Sequence, residues 1–167
     1  MSKFRNIPNK PIRDEEGRIH WSSRSVAVVS IIILNDEKVL LTKRGPNVTS
    51  SNKWCNPCGY LDWNETATEA VHREIWEETG LDIENCNIVV NHIDNPYNII
   101  TDPNLNQFED VVLYFGAKIQ SDTEPFITKD NAEKGEVLEV KWVPLEELNK
   151  YEFAFNHSLR IRQFLNL

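Results

Sequence analysis

The stretch that most constrains the fold is Val26–Leu34, whose sequence VAVVSIIIL is mostly β-branched. A continuous apolar run of this kind predicts a strand that is buried on both faces. Residues 35–37 predict a turn, and residues 38–43 predict a second strand that returns beside the first. The chain has 167 residues, 40% of them hydrophobic, which is enough for one globular domain with a substantial core. We expect a polar arm over residues 1–24 and a domain over residues 25–167.

The later patterns alternate between strands, loops and helices. They predict loops at 45–64, 96–106 and 121–135, strands at 86–93, 108–119 and 137–143, and a terminal helix at 153–167. In the terminal helix we expect Phe155, Leu159 and Phe164 to pack on the sheet. Within the polar arm, Glu15-Glu16-Gly17 indicates the turn of a short hairpin.

A helix with well-marked ends is predicted after the first long loop. Thr66, followed three residues later by Glu69, has the spacing of a capping box, so the helix should begin near Ala67. Gly80 suits the left-handed residue that lies just past a helix end. The sequence therefore predicts a helix of about three to four turns between these two caps.

Three carboxylates of this helix point towards the predicted interior. At 100° per residue, Glu74 and Glu78 share the face that begins with Ala67, and Glu77 lies at the edge of that face. Each inward charge costs on the order of several kcal/mol unless a positive charge compensates it. The compensating group that oxygen ligands favour is a hard divalent cation, Mg²⁺ or Mn²⁺. The alternative is a solvated acidic face, which is the commoner meaning of a charge run.

The wider spacing of these residues decides against a solvated face. It combines fixed glycines and charged residues with two aliphatic positions: Gly59, Glu65, Arg73-Glu74, Ile75, Glu77-Glu78, Gly80 and Leu81. Seven fixed identities coincide by chance at about one in 10⁹ per starting position. At every position the stretch resembles the signature box of the Nudix hydrolases. Trp54, Pro57 and the later Trp142-Val143-Pro144 also resemble this family, whereas Cys58 stands where the family often has a glycine.

The resemblance implies a fold, a reaction and a metal site. The fold is α/β, a Nudix-like α/β/α sandwich with a mixed β-sheet, with the box helix on one side and the terminal helix on the other. The reaction is that of a Nudix pyrophosphohydrolase, which splits a diphosphate linkage with Mg²⁺ or Mn²⁺. Four box residues are the expected metal ligands: the carbonyl of Gly59 and the carboxylates of Glu74, Glu77 and Glu78. We expect Glu77 and Glu78 to be essential for catalysis.

Other catalytic roles fall to residues inside and outside the box. Arg73 lies four residues from both Glu69 and Glu77, so it can pair with either and is expected to orient a carboxylate. By resemblance the general base is either a glutamate of the box or one from a distant loop. The distant candidates are Glu136, which we favour, and Glu133. Both also fit a solvated surface.

Residues outside the box indicate the substrate. Arg44, at the end of the second strand, is expected to hold a phosphate, because a guanidinium matches phosphate oxygens in a bidentate fork. Pro96 and Tyr97 lie 15 and 16 positions past Leu81. In this family a proline at the first spacing accompanies ADP-ribose hydrolases, and a tyrosine at the second accompanies diadenosine polyphosphate hydrolases. We favour ADP-ribose or a nucleotide sugar. Diadenosine polyphosphates and nucleoside triphosphates are the alternatives, and Tyr97 is expected to stack on the base.

Two other classes of protein share this fold. A catalytically silent ligand-binding module is one, although such modules often lose box carboxylates and none is lost here. An enzyme similar to isopentenyl-diphosphate isomerase is the other, and it would need a catalytic cysteine and glutamate in its own sequence contexts. Release of a nucleoside monophosphate distinguishes a hydrolase from both.

Composition narrows the partners and the setting. The formal net charge of −8 argues against bulk nucleic-acid or membrane binding, so the expected partner is a small nucleotide. Three cysteines without a signal-peptide pattern or a long apolar run predict a cytoplasmic protein. Cys55 and Cys58 form a C-x-x-C pair, but no second pair completes a zinc site, and we expect buried or idle thiols. The N-terminal arm docks either on the domain or across a homodimer.

Overall fold

The computed structural model describes residues 11–21, 26–62, 64–83, 91–94, 98–102, 106–120 and 122–166. The strands are β1 Pro11–Arg13, β2 Ile19–Trp21, β3 Val26–Leu34, β4 Lys38–Arg44, β5 Trp54–Cys55, β6 Cys58–Tyr60, β7 Asn91–Asp94, β8 Asn98–Asp102, β9 Asn106–Ile119 and β10 Val137–Pro144. The helices are α1 Ala67–Thr79, α2 Lys129–Lys134, the 3₁₀ helix Leu145–Lys150 and α3 His157–Leu165. Among these helices, none is long and apolar enough to cross a membrane.

The strand β3 lies at the centre of a mixed sheet, as its apolar sequence predicts. The strand order is β10-β4-β3-β9-β7, and β3 runs parallel to β9 but antiparallel to β4. The short strand β6 also pairs with β3, placing Gly59 opposite Val28. Because β3 has neighbours along both edges and is buried on both faces, it holds β6 by strand pairing and supports α1 by packing.

Successive residues of β3 point into two separate cores. Val28 and Ile32 pack with Ile75 of α1 on one face of the sheet. Ile31 packs with Ile161 of α3 on the other face. Each fully buried aliphatic side chain of this size contributes about 1.5–3 kcal/mol. The sheet is therefore covered by α1 on one side and α3 on the other, and the predicted α/β/α sandwich is confirmed.

The box helix α1 begins and ends where its capping residues predict. The side chain of Thr66 accepts a hydrogen bond from the Glu69 amide at 3.2 Å, and the Glu69 carboxylate accepts one from the Thr66 amide at 2.7 Å. Gly80 follows the helix with φ 65°, a left-handed conformation that costs glycine little. This geometry fixes the rotation of α1 and aims its carboxylates at β6.

The expected loops contain short elements that the sequence patterns missed. Residues 45–64 include β5 and β6, residues 96–106 include β8, and residues 121–135 include α2. Strands of two or three residues are too short to show a period. The short helix α2 is marked by Thr128, whose side chain caps it by accepting from the Asn131 amide.

Two expectations about the chain ends are tested. The hairpin of the arm is confirmed, because β1 pairs antiparallel with β2 around Gly17 at φ 79°. The terminal helix is shorter than the expected 153–167, since Phe155 has φ 53° and α3 begins only at His157. Leu159 is half exposed on α3, so its expected packing on the sheet is wrong.

Candidate active site

Arg73 connects the box residues through a network of short hydrogen bonds. Its Nη2 and Nε donate to the two carboxylate oxygens of Glu65 at 2.7 and 3.0 Å. Its Nη1 donates to Glu74 Oε1 at 2.7 Å, and Nη2 also donates to the carbonyl of Tyr60 at 3.0 Å. The hydrogen bonds of Arg73 lower the pKa of Glu65, and those of Glu65 raise the pKa of Arg73 above its usual range. Arg73 thus joins β6, the start of α1 and a box carboxylate.

Of the two partners expected for Arg73, Glu77 is confirmed as an ion pair and Glu69 is wrong. Glu69 is engaged in the capping box with Thr66, so it is not the partner of Arg73. Glu77 lies 3.6 Å from Nη1, a longer contact than that made by Glu74. The strongest partner is instead Glu65, which lies eight residues earlier, outside helical spacing. The loop before α1 brings Glu65 alongside, because its carboxylate also accepts from the Asp62 amide at 2.6 Å.

Glu74 packs directly against the backbone of Gly59. The Glu74 residue is only 8% exposed, and a Cβ added to Gly59 would overlap with its carboxylate. Glycine is therefore required at position 59, because a larger residue would bring a Cβ into the Glu74 carboxylate. Burial raises the pKa of Glu74, although the hydrogen bond and charge of Arg73 act in the opposite direction.

Glu78 points at the same strand one helical turn further along. Its Oε2 accepts from the backbone amide of Cys58 at 3.3 Å and lies 3.5 Å from Thr42 Oγ1. Burial of the carboxylate raises the pKa of Glu78 well above its usual range. Glu77 is more exposed, and its backbone carbonyl accepts from Thr128 Oγ1 at 2.6 Å. Glu74 and Glu78 therefore face β6, while Glu77 lies nearer the solvent with Arg73 beside its carboxylate.

The donor set of the site fits a hard divalent cation. Glu74 and Glu78 are carboxylates whose burial is only partly offset by a neighbouring positive charge, and oxygen donors are those that Mg²⁺ and Mn²⁺ prefer. Within the described ranges, no group of three His, Cys, Asp or Glu side chains is already close enough to hold a metal ion. Binding would therefore require the carboxylates to converge, and Glu77 is the most exposed of the three.

Arg44 is the last residue of β4 and lies at the edge of the cluster formed by the box carboxylates. Its Nε donates to the carbonyl of Thr49 at 2.6 Å, and its guanidinium stacks 5.1 Å from the ring of Phe155. Its Nη1 lies 3.9 Å from the Sγ of Cys55, and it is close enough to Glu78 for their charges to interact. The structure thus brings Arg44 and the box carboxylates together.

The two cysteines of the C-x-x-C pair lie beside Arg44 and Glu78. Cys55 Sγ is 3.3 Å from Thr42 Oγ1, and the two thiols are within hydrogen-bonding reach of each other. The hydrogen bond from Cys58 lowers the pKa of Cys55 to about 6, and Thr42 and Arg44 act in the same direction against burial. That hydrogen bond and burial raise the pKa of Cys58 well above its usual range. Both cysteines are free thiols.

The distant candidates for the general base lie near α2. Glu136 is exposed, and its backbone carbonyl accepts from the Gly45 amide at 2.7 Å, one residue after Arg44. Glu133 is exposed on α2, 3.9 Å from Lys129. The helix α2 is anchored to α1 by Thr128. Pro96 and Tyr97 lie outside the described residues.

His157 is a site neighbour that sequence reasoning missed. It is 2% exposed, and its Nδ1 accepts from the backbone amide of Asn56 at 3.0 Å. Burial lowers the pKa of His157 to about 3, with the charges of Arg44 and Arg160 acting in the same direction. The ring is therefore neutral and joins α3 to the turn between β5 and β6. A lone histidine in the sequence carries no signal for this contact across the fold.

Comparisons with known proteins agree with this geometry. A family model described as the NUDIX domain matches residues 24–164. A MutT-like protein of Streptomyces ambofaciens is 38% identical over 60 residues, a match that spans 36% of this chain and 36% of that relative. Among solved structures, the NUDIX domain of Shewanella oneidensis NrtR, complexed with ADP ribose, has a TM-score of 0.70 at 21% identity and covers 92% of each chain.

A second solved structure extends the range of similar proteins. An Ap4A hydrolase of C. elegans has a TM-score of 0.63 at 19% identity, covering 85% of this chain and 96% of that one. Because the family model matches most of its length, the chain belongs to the Nudix family. The signature box of the family is complete in this chain, which spans about a third of the length of the MutT-like relative, 36%.

Proposed function

We propose that this protein hydrolyses the diphosphate linkage of a nucleoside diphosphate derivative, ADP-ribose or a nucleotide sugar, with Mg²⁺ or Mn²⁺. The observation that carries the proposal is the enclosure of Glu74 and Glu78 against β6, where Gly59 leaves space for a carboxylate. Such a cluster of buried carboxylates is costly unless it binds a cation. When bound, the cation neutralises phosphate oxygens and lowers the pKa of the attacking water.

The chain's own residues position the metal ligands. The carboxylates of Glu74, Glu77 and Glu78 and the carbonyl of Gly59 are the proposed ligands. Arg73 is a positioning residue, since it holds Glu74 while its guanidinium is fixed by the bidentate contact with Glu65. In metalloenzymes, loss of a group that orients a metal ligand lowers metal affinity or activity by roughly 10–100-fold.

Residues outside the metal site hold the substrate and accept the proton. Arg44 is the proposed phosphate-binding residue, because the Thr49 carbonyl and the Phe155 ring hold its guanidinium at the edge of the carboxylate cluster. For the general base we propose Glu136, with Glu133 and the box glutamates as alternatives. Its exposure leaves the Glu136 carboxylate free to turn, and its backbone is tied to Gly45, next to Arg44.

Two observations support the choice of substrate class. The NrtR domain, which shares this fold, is complexed with ADP ribose. Pro96 also has the spacing past the box that accompanies ADP-ribose hydrolases. The second candidate is a diadenosine polyphosphate, which is favoured by Tyr97 and by the similarity to the C. elegans hydrolase. The net charge of −8 supports a small nucleotide over a long nucleic acid.

A substrate panel under one Mg²⁺ condition tests the proposal. ADP-ribose, nucleotide sugars, diadenosine polyphosphates, nucleoside triphosphates and 5′-triphosphorylated RNA are compared, and the products are separated by chromatography. We expect the highest kcat/KM on ADP-ribose or a nucleotide sugar, with release of a nucleoside monophosphate. Highest kcat/KM on the triphosphates or the RNA contradicts the substrate class. Binding without turnover of any compound indicates a silent module. In a separate incubation with isopentenyl diphosphate, isomerisation of that compound indicates the third class.

A further inference from the structure

The thiol pair Cys55 and Cys58 occupies a position that the proposed reaction does not use. Cys55 ends β5 and Cys58 begins β6, so Asn56 and Pro57 form the whole connection between the two cysteines. This turn is firmly held, because the Asn56 amide is bonded to His157 and the Pro57 carbonyl accepts from the Ser30 amide at 2.9 Å. The two cysteines are consequently held at the two ends of a firmly anchored two-residue turn.

The surroundings of the pair favour reaction over simple burial. Cys55 Sγ lies 3.3 Å from Thr42 Oγ1 and 3.9 Å from the Nη1 of Arg44. Cys55 is buried, but its sulfur meets a hydroxyl and a guanidinium rather than apolar groups alone, and a nearby cation favours the thiolate, which is the reactive form of a thiol. Cys58 is half-buried and is the more exposed residue of the pair, so the proposed route for a small oxidant is through Cys58.

The same pair is connected to the carboxylate cluster at two points. The backbone amide of Cys58 donates to Glu78 Oε2, and Cys58 directly precedes Gly59, which makes room for the Glu74 carboxylate. Thr42 Oγ1 also contacts both Cys55 Sγ and Glu78 Oε2. Any shift of the start of β6 therefore moves the contacts of both carboxylates.

We propose that Cys55 and Cys58 form a reversible oxidation site whose disulfide lowers the activity of the adjacent catalytic site. The oxidant is a peroxide. One sulfur attacks a peroxide oxygen, the O–O bond breaks and the displaced oxygen leaves as water. The second sulfur attacks the resulting sulfenic sulfur, the S–O bond breaks and the other oxygen leaves as water with the remaining thiol proton. The pair loses two electrons and two protons, and the peroxide is reduced to two waters.

Closing the bond changes the geometry next to Glu78. The two sulfurs must approach from hydrogen-bonding distance to about 2.05 Å. Because both cysteines belong to short strands joined by two residues, this approach displaces the amide of Cys58 and the α-carbon of Gly59. This consequence for activity rests on the proposed function, whereas the formation of the disulfide does not.

Mass spectrometry and turnover, measured on the same samples, test the proposal. The reduced protein is treated with hydrogen peroxide and digested without reductant. We expect the fragment that contains residues 55–58 to lose the mass of two hydrogen atoms. We also expect kcat to fall by about tenfold or more, the scale of a disturbed metal-ligand contact, and to return with dithiothreitol. Cys86→Ser, which removes the third thiol, is the matched control and should respond as the wild type does.

Each outcome either supports or overturns the proposal. In Cys55→Ser the mass loss should be absent, and peroxide should leave kcat at its untreated value. No mass loss in the wild type overturns the oxidation site. A disulfide that leaves kcat within twofold overturns its effect on activity, and so does an equal inactivation of Cys55→Ser. Absence of turnover in the reduced wild type contradicts the proposed function instead, while the mass measurement still reports on the disulfide.

Discussion

Substitution of Gly59 by alanine tests the close approach on which the proposed metal site depends. The added Cβ would overlap with the carboxylate of Glu74, which is buried and held by Arg73. Overpacking of this kind typically costs about 1–3 kcal/mol of unfolding free energy. For a chain of this size, Tm falls by about 2–4 °C per kcal/mol. Because the displaced carboxylate is a proposed metal ligand, we also expect kcat/KM to fall by about 100-fold.

A double-mutant cycle separates this overlap from other effects of the substitution. Chemical denaturation gives the unfolding free energies of Gly59→Ala, Glu74→Ala and the double variant. With the carboxylate removed, the added methyl group has space, so the cost of alanine at position 59 should shrink by about 1 kcal/mol or more. Additive effects of the two substitutions would refute the reasoning, as would a Gly59→Ala protein with the stability and turnover of the wild type.

Two further predictions follow from the neighbours of this contact. Arg73→Lys keeps the positive charge but loses the bidentate guanidinium contact with Glu65. The Mg²⁺ concentration that gives half the maximal rate should therefore rise about 10–100-fold. An unchanged Mg²⁺ dependence would argue against a positioning role for Arg73. In the folded protein the pKa of His157 is lowered to about 3. Below about pH 6.5 the unfolded chain binds a proton at this histidine and the folded chain does not, so the free energy of unfolding falls as the pH falls. Between pH 7.5 and 5.5 this loss is about 1.4 kcal/mol. Urea denaturation of His157→Gln should show a loss smaller by that amount, and an equal loss would contradict a buried neutral ring.

The part of the fold that follows local rules could be predicted from the sequence. Val26–Leu34 is continuously apolar because β3 is covered on both faces, and Thr66 with Gly80 marks the ends of α1. These features depend on residues near one another in the chain or on a long, strongly patterned segment.

The part of the fold and of the site that depends on tertiary contacts could not be predicted from the sequence. The pairing of Arg73 with Glu65 requires the loop before α1 to fold back, and helical spacing predicted other partners. The strands β5 and β6 owe their existence to pairing with β4 and β3, not to their own two or three residues. His157 meets the Asn56 amide 101 residues away in the chain, a contact without any local pattern.

Metal dependence of hydrolysis tests the central claim most directly. The measurement is the rate of nucleoside monophosphate release from the best substrate of the panel, in Mg²⁺, in excess chelator and after Mg²⁺ or Mn²⁺ is restored, with Glu77→Gln and Glu78→Gln measured alongside. We predict that the rate vanishes in chelator and returns with either cation. We also predict that each variant loses about two or more orders of magnitude in kcat while remaining folded. Undiminished turnover in excess chelator, or near-normal rates in both variants, would contradict the assignment of the box carboxylates as metal ligands.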